Sequence, residues 1–319
     1  LVLGLLSVDS EFAGGSFRLT RKGVDEAFEK HVAGPMGCSV EEAAFDCWRV
    51  VNANMSQAVR RLTAEKGTDP IDLKVLAYGG NGPLFAAIQA QELGISEVLV
   101  PKASPTFSAL GALTASPGID EERSYLAPAE SADLDHLASL WGELDERAER
   151  FLSGAGYARD QIRVRYLMNL RYPGQNWSLG IEAGETRGPR DLSFVAPGVR
   201  TAAIERFHQR HVDEYGHSRL AEAPEVTGVR LVATVEVPKP DFAGGTTASR
   251  YDPKPHTTRR ANLGAGFESA RIFRGEDLRP GAALSAPAII EESFTTIAVY
   301  PGWRALVDDA GDYILERRP

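Results

Sequence analysis

Residues Leu73–Thr114, LKVLAYGGNGPLFAAIQAQELGISEVLVPKASPTFSALGALT, decide the fold class of this chain. A short apolar run, Val75-Leu76-Ala77-Tyr78, leads into the turn Gly79-Gly80-Asn81-Gly82-Pro83. An alanine-rich helix is predicted to follow as far as Leu93, with Gly94 as its stop. Val98-Leu99-Val100 reads as a second strand, and a second helix of small residues is expected from Thr106 to about Ala115. Strands this uniformly apolar belong in a central sheet covered by helices. Glycines between strand and helix let backbone approach a ligand closely, and the opening turn of a helix offers unbonded N–H groups to an anion. The spacing is neither GxGxxG nor a P-loop, so a plain tight βα connection also explains the turn.

Upstream, residues 1–20 read as two short extended stretches around Gly14-Gly15. Thr20 can cap a helix from Arg21 to about Ala33, which Gly34-Pro35-Met36-Gly37 breaks. Ser39-Val40-Glu41-Glu42 has the form of a capping box. A long helix is predicted to run from it to about Lys66. Ala44, Trp48, Val51, Met55, Val59 and Leu62 recur at three- and four-residue spacing and define one apolar face. Asn52 and Asn54 interrupt the surrounding surface, as exposed residues, satisfied buried amides or neighbours of a cleft.

Downstream, Ser116-Pro117-Gly118 and Ala127-Pro128-Ala129 bracket an expected boundary near 118–130. A helix from about Asp133 to Gly154 carries Leu134, Leu137, Leu140, Trp141, Leu144, Ala148 and Phe151 on one face. Strands are expected at Ile162–Tyr172 and Trp177–Ile181, a loop over 184–200, a helix from Thr201 to about Tyr215, and a strand from Glu225 to Val237. Residues 241–260 read as an exposed linker or long loop. The remainder is β-rich, with strands at Arg271–Phe273, Ala288–Glu291, Thr295–Tyr300, Arg304–Val307 and Tyr313–Glu316, and a hairpin turn at Asp309-Ala310-Gly311-Asp312.

The 319 residues, 43% of them hydrophobic, suffice for two or three domains. The formal charge of −9 argues against a nucleic-acid or anionic-membrane surface, and no apolar run reaches the roughly 18–20 residues of a membrane span. The opening run lacks the basic flank of a signal peptide. Two cysteines, Cys38 and Cys47, make no disulfide framework, and a cytoplasmic location is expected.

Taken together, the motifs resemble the hydantoinase A/5-oxoprolinase family, which includes subunits of acetone and acetophenone carboxylases. The resemblance rests on Ala77–Ala86 with Gln91-Glu92-Leu93-Gly94-Ile95 and Phe107-Ser108-Ala109-Leu110-Gly111. It extends to Asn52-Ala53-Asn54-Met55, Gly67-Thr68-Asp69-Pro70, Leu170–Gln175, Phe207-His208 with His211, Tyr215 and Gly216, Pro287–Glu292 and Pro301-Gly302-Trp303. Asn81 stands where relatives usually have Ala, and Phe85 where they have His. The resemblance implies an α/β fold: half of an actin-like, ribonuclease H-like ATPase domain at 1–120, an α+β domain at 121–240 and a β-rich domain at 241–319.

It also implies an ATP-dependent subunit that opens a cyclic amide such as a hydantoin or 5-oxoproline after its carbonyl oxygen is phosphorylated. Gly79, Gly80, Asn81 and Gly82 would line the nucleotide with their backbone. ATP and Mg2+ are the implied cofactors, with phosphate and metal ligands in an N-terminal half not in this sequence. A hydantoinase B-type subunit is the implied partner, in an oligomer. The chain then reads as a C-terminal part of a longer subunit, not expected to turn over ATP alone. A carboxylase subunit and a non-catalytic assembly module are the alternatives.

No catalytic side chain is singled out. His208, His211 and His217, with Glu214, invite a metal reading, but HExxH is absent and satisfied histidines are expected. Glu291-Glu292 and Asp308-Asp309 are assigned to turns and surface because neighbours in a strand face opposite ways. Arg259-Arg260 and Arg317-Arg318 read as solvated pairs. Ser108 lies outside any GxSxG elbow and is expected to cap or pack near the glycine turn.

Overall fold

The computed structural model describes residues 1–8, 11–12, 16–239 and 248–318. The chain divides into two compact units, one of Leu1–Leu113 with Asp241–Pro319 and one of Thr114–Pro240.

The first unit begins with the two-residue strands β1 (Glu11–Phe12) and β2 (Phe17–Arg18), paired antiparallel; Gly14-Gly15 lie outside the described residues. A helical stretch follows, α1 (Val24–Phe28), a π-helical turn at Glu29–Ala33 and α2 (Gly34–Met36). It starts later than Thr20 predicts, because the Thr20 hydroxyl takes the Lys22 N–H in a local turn instead. Helix α3 (Val40–Glu65) opens on the expected capping box: Ser39 Oγ accepts from Glu42 N, and Glu42 accepts from Ser39 N.

The apolar face expected on α3 meets the core only near its start, where Ala44 is buried and Trp48 packs against the core. Val51, Met55, Val59 and Leu62 are exposed, while Ala44, Asn52, Ser56 and Thr63 are buried. Asn52, Ser56 and Thr63 form a neighbouring stripe on the helix. Asn52 Nδ2 donates to Trp48 O and the Thr63 hydroxyl to Val59 O, so local bonds offset part of the cost of burial.

The sequence-predicted βαβ module forms as β3 (Val75–Leu76), α4 (Gly82–Leu93) and β4 (Glu97–Val100), followed by α5 (Phe107–Thr114). Strands β3 and β4 pair in parallel. Pro83 sits in the first turn of α4, where its missing N–H costs nothing, and Gly94 ends the helix at φ 79°, a conformation glycine adopts without a Cβ clash.

The second unit holds an antiparallel sheet in the order β5-β8-β6-β7, from β5 (Gly118–Pro128), β6 (Ile162–Arg171), β7 (Leu179–Arg187) and β8 (Glu225–Val235). Helices α6 (Leu134–Gly154) and α7 (Gly198–Tyr215) share its core through Leu137, Trp141, Leu144, Ala203 and Phe207. Strand β5 occupies the stretch read as a boundary. Its acid-rich sequence hides a two-residue alternation of exposed and half-buried positions. Strand β7 likewise runs on to Arg187, into the expected loop.

The C-terminal segment is not a separate β-rich domain. Its strands are β9 (Thr257–Asn262), β10 (Phe267–Arg274), β11 (Ala283–Ser285), β12 (Ala288–Glu291), β13 (Thr296–Val299), β14 (Trp303–Val307) and β15 (Tyr313–Arg317). One sheet runs β13-β12-β10-β9, and β15 pairs antiparallel with β4 to give a sheet in the order β11-β14-β15-β4-β3. The last strands of the chain therefore cover an edge that β4 would otherwise leave open. The expected linker is strand β9 from Thr257 on, and its residues 241–247 lie outside the described residues. Asp309–Asp312 form the β14–β15 hairpin turn, where Asp308 Oδ1 accepts from Ala310 N and Asp312 N.

Candidate functional site

The glycine turn lies at the carboxyl ends of the parallel pair β3–β4, the position where open α/β sheets bind ligands. Gly79 has φ 83°, whereas Gly80 has no such requirement and is exposed. A Cβ on Gly80 would meet only Phe294 O, at 3.6 Å. The fold therefore does not require the missing side chain at Gly80. Asn81 is the N-cap of α4 but makes no side-chain capping bond.

Two loops brace this turn. After β4, Ser104 O accepts from Gly79 N at 2.7 Å, and Ser104 Oγ donates to Gly79 O at 3.3 Å. Between β12 and β13, Thr295 Oγ1 donates to Gly80 O at 2.9 Å. Ser104 is 1% and Thr295 3% exposed. Tyr78 and Phe107 pack beside the turn with ring centroids 5.4 Å apart and planes tilted by 42°. From below, Tyr300 donates to Leu84 O at 2.7 Å and Trp303 Nε1 to Gln91 Oε1 at 3.1 Å, tying α4 to the C-terminal strands. Burial pushes the Tyr300 phenol above its ordinary range, so it stays a donor.

Glu292, assigned from sequence to the surface, belongs to this convergence. Lys102 Nζ reaches Glu292 Oε1 at 2.5 Å, Gly275 O at 3.2 Å and the Tyr313 hydroxyl at 3.3 Å. Tyr313 also donates to Glu292 Oε1, and burial with the nearby carboxylate holds its phenol protonated. The ammonium thus spends three donors inside the protein. Glu292 N donates to Thr295 O, which links the ion pair to the turn over Gly80. No spacing in the sequence pointed to Lys102, Thr295 or Glu292 as a group, because they meet only through non-local strand pairing.

Three other expectations are corrected or explained. Arg259 pairs with Glu291 and donates to Gly4 O, while Arg260 pairs with Glu41 and lies over the Phe267 ring, so this arginine pair is engaged. Phe85 stacks on Trp48 and lines an apolar pocket of about 370 Å³ with Cys47, Leu84 and Val2. Phe85 is thus part of an apolar surface. Ser108 is exposed in the first turn of α5.

In the second unit, Tyr172, Gln175, His208 and His211 form a bonded network. Tyr172 Oη lies 2.7 Å from His208 Nδ1, and Gln175 Nε2 3.0 Å from His211 Nε2. His211 Nδ1 is 2.6 Å from His217 O, so both ring nitrogens of this buried residue are engaged. His208 and His211 are hydrogen-bonded within side-chain packing, as expected of satisfied histidines, whereas His217 is exposed with its Nδ1 3.0 Å from Tyr215 O.

Residues 1–121 match the family described as hydantoinase/oxoprolinase, and residues 127–314 match the hydantoinase/oxoprolinase C-terminal domain. The chain is 31% identical over 317 residues to an uncharacterised protein of Methanocaldococcus jannaschii, covering 99% of this chain and 44% of that protein. It is 30% identical to the caprolactamase subunit alpha of Pseudomonas jessenii, covering 99% of this chain and 45% of the relative. Among solved structures it is similar to acetone carboxylase in its nucleotide-free form, with TM-score 0.77, 26% identity, and coverage of 99% of this chain and 45% of the other. The chain spans less than half the length of these relatives.

Proposed function

The chain belongs to the hydantoinase/oxoprolinase family, and from that premise we propose that it forms the nucleotide-contacting part of an ATP-dependent subunit that opens a cyclic amide. The observation that carries this reading is the turn Gly79–Gly82, exposed at Gly80, at the carboxyl end of a parallel strand pair. The first unit is read as a lobe of an actin-like ATPase. The likeness to a caprolactamase subunit supports the cyclic-amide class, since a lactam is a cyclic amide.

ATP would transfer a phosphoryl group to the amide carbonyl oxygen and leave as ADP, making the ring carbon electrophilic. Water would then add to that carbon, the ring C–N bond would break with the nitrogen leaving as an amine, and a second water would release phosphate from the resulting acyl phosphate. In this chain Gly80 and Asn81 offer backbone N–H groups, and the absence of a side chain at Gly80 admits close approach. The braced turn costs little reorganisation on binding. Mg2+ is an expected companion of ATP, but the described residues include no cluster of His, Cys, Asp or Glu able to hold a metal, so no residue here is assigned to it. Glu292 is committed to Lys102 and Tyr313.

A second reading, an ATP-dependent ketone carboxylase subunit, is favoured by the likeness to acetone carboxylase. Because relatives are named as subunits, a B-type partner chain is proposed for either activity. The test has two parts. Gly80→Leu should abolish binding of ADP to the chain; unchanged binding would sink the nucleotide reading. In the assembled protein, ADP release driven by 5-oxoproline, hydantoin or caprolactam supports the hydrolase reading. Release driven only by acetone with bicarbonate supports the carboxylase reading.

A further inference from the structure

We propose that Ser104 and Thr295 are positioning residues that aim the Gly80 and Asn81 N–H groups at a phosphate oxygen of the bound nucleotide. The inference rests on the nucleotide reading above and names the side chains that set its donor geometry. In a trans peptide the C=O and the following N–H point in opposite directions. Gly79 O is held by the Ser104 hydroxyl and Gly80 O by the Thr295 hydroxyl. Both hydroxyls are buried. The Gly80 and Asn81 N–H groups therefore point away from the buried side. Both residues are exposed, and among the described residues no acceptor takes either N–H. Two adjacent amides facing one way form a concave donor pair suited to an anionic oxygen.

The two hydroxyls come from different loops, one after β4 and one between β12 and β13. Each loop is anchored away from the turn. Ser104 N donates to Pro101 O at 2.8 Å. The Thr295 loop is held through Glu292, whose carboxylate Lys102 and Tyr313 grip. The ligand need not touch Ser104 or Thr295. Their effect is on the direction of the backbone donors, so it should appear for ligands that carry phosphate and not for the nucleoside alone.

The experiment is an amide NMR titration of the 319-residue chain with ADP and, separately, with adenosine. The unaltered chain should show Gly80 and Asn81 amide shifts with ADP. Thr295→Val, which keeps shape but removes the hydroxyl, should weaken ADP about tenfold or more and leave adenosine affinity unchanged. Thr295→Ser should restore ADP affinity, and Ser104→Ala should weaken ADP in the same selective way. Should Thr295→Val fail to fold, hydrogen exchange in the unaltered chain reads the same geometry. Gly80 and Asn81 N–H should exchange without protection and gain protection with ADP; protection without ligand would overturn the donor geometry. Equal losses for ADP and adenosine, or no loss for either, would overturn the positioning role while leaving nucleotide binding intact. If the unaltered chain gives no shifts with ADP, or Gly80→Leu binds ADP equally well, the nucleotide reading falls and this inference falls with it.

Discussion

Tyr172 donates to His208, and the direction of that bond is set by a third residue. Arg219 N donates to Tyr172 Oη at 2.8 Å, which leaves the single phenolic hydrogen to point at His208 Nδ1, 2.7 Å away. His208 is thereby held as the neutral tautomer protonated on Nε2. Burial, with the neighbouring His211 second, lowers its pKa below the ordinary 6.5.

A histidine whose folded pKa is depressed contributes stability that is present above its unfolded value and lost as pH falls through the folded one. The chain should therefore lose stability as pH drops from 6.5 toward the lower folded value. His208→Asn keeps an acceptor for Tyr172 and does not titrate. Urea unfolding at pH 7.5 and at successively lower pH should show a shallower decline for that variant. An equally steep decline would assign the pH dependence to other groups.

Asp145 carries the opposite sign. It is buried on α6, accepts from Tyr166 Oη at 2.7 Å and Arg190 N at 3.1 Å, and its Oδ1 has no partner among the described residues. Burial raises its pKa above 3.8, so its contribution is fully present below 3.8 and lost as pH rises through the folded value. Asp145→Ala strands two donors and should cost about 2–4 kcal/mol. Asp145→Asn should cost much less, and its stability relative to the unaltered chain should improve from pH 4 to pH 7, as thermal melts would register.

Gly79 and Gly80 should separate folding from ligand access. Gly79→Ala places a side chain at φ 83° and should cost about 1–2 kcal/mol of stability. Gly80→Ala meets only ordinary contact and should leave the unfolding midpoint nearly unchanged. Comparable destabilisation by both would mean that Gly80 is also required by the fold.

Gly275→Ala tests the anchoring of the Thr295 loop. Its Cβ would fall within 2.1 Å of the Glu292 carboxylate, which Lys102 and Tyr313 hold in place. Eviction of that carboxylate should cost about 1–3 kcal/mol. Adding Glu292→Ala to it should recover part of the loss in a double-mutant cycle, and strict additivity of the two would argue against the clash.

Much of this was legible in order along the chain. Ser39 and Glu42 gave the start of α3, and Gly94 gave the end of α4, because caps are local chemistry between residues a few positions apart. The glycine turn was placed correctly between β3 and α4. The α3 face meets the core at Ala44 and Trp48 but not from Val51 on, because periodicity names an apolar stripe but not what lies opposite it. Strand β5 was missed because Glu121, Glu122 and Arg123 mask an alternation that is itself regular.

The sequence by itself determined most of the local elements, the glycine turn and the family, all of which depend on residues close together or on ordered motifs. Only the tertiary structure decided that β15 closes the sheet beside β4, that Thr295 reaches Gly80, and that Glu292 is gripped by Lys102. Those pairings join residues about two hundred positions apart. They are selected by edge pairing and burial across the whole first unit, and no local spacing encodes them.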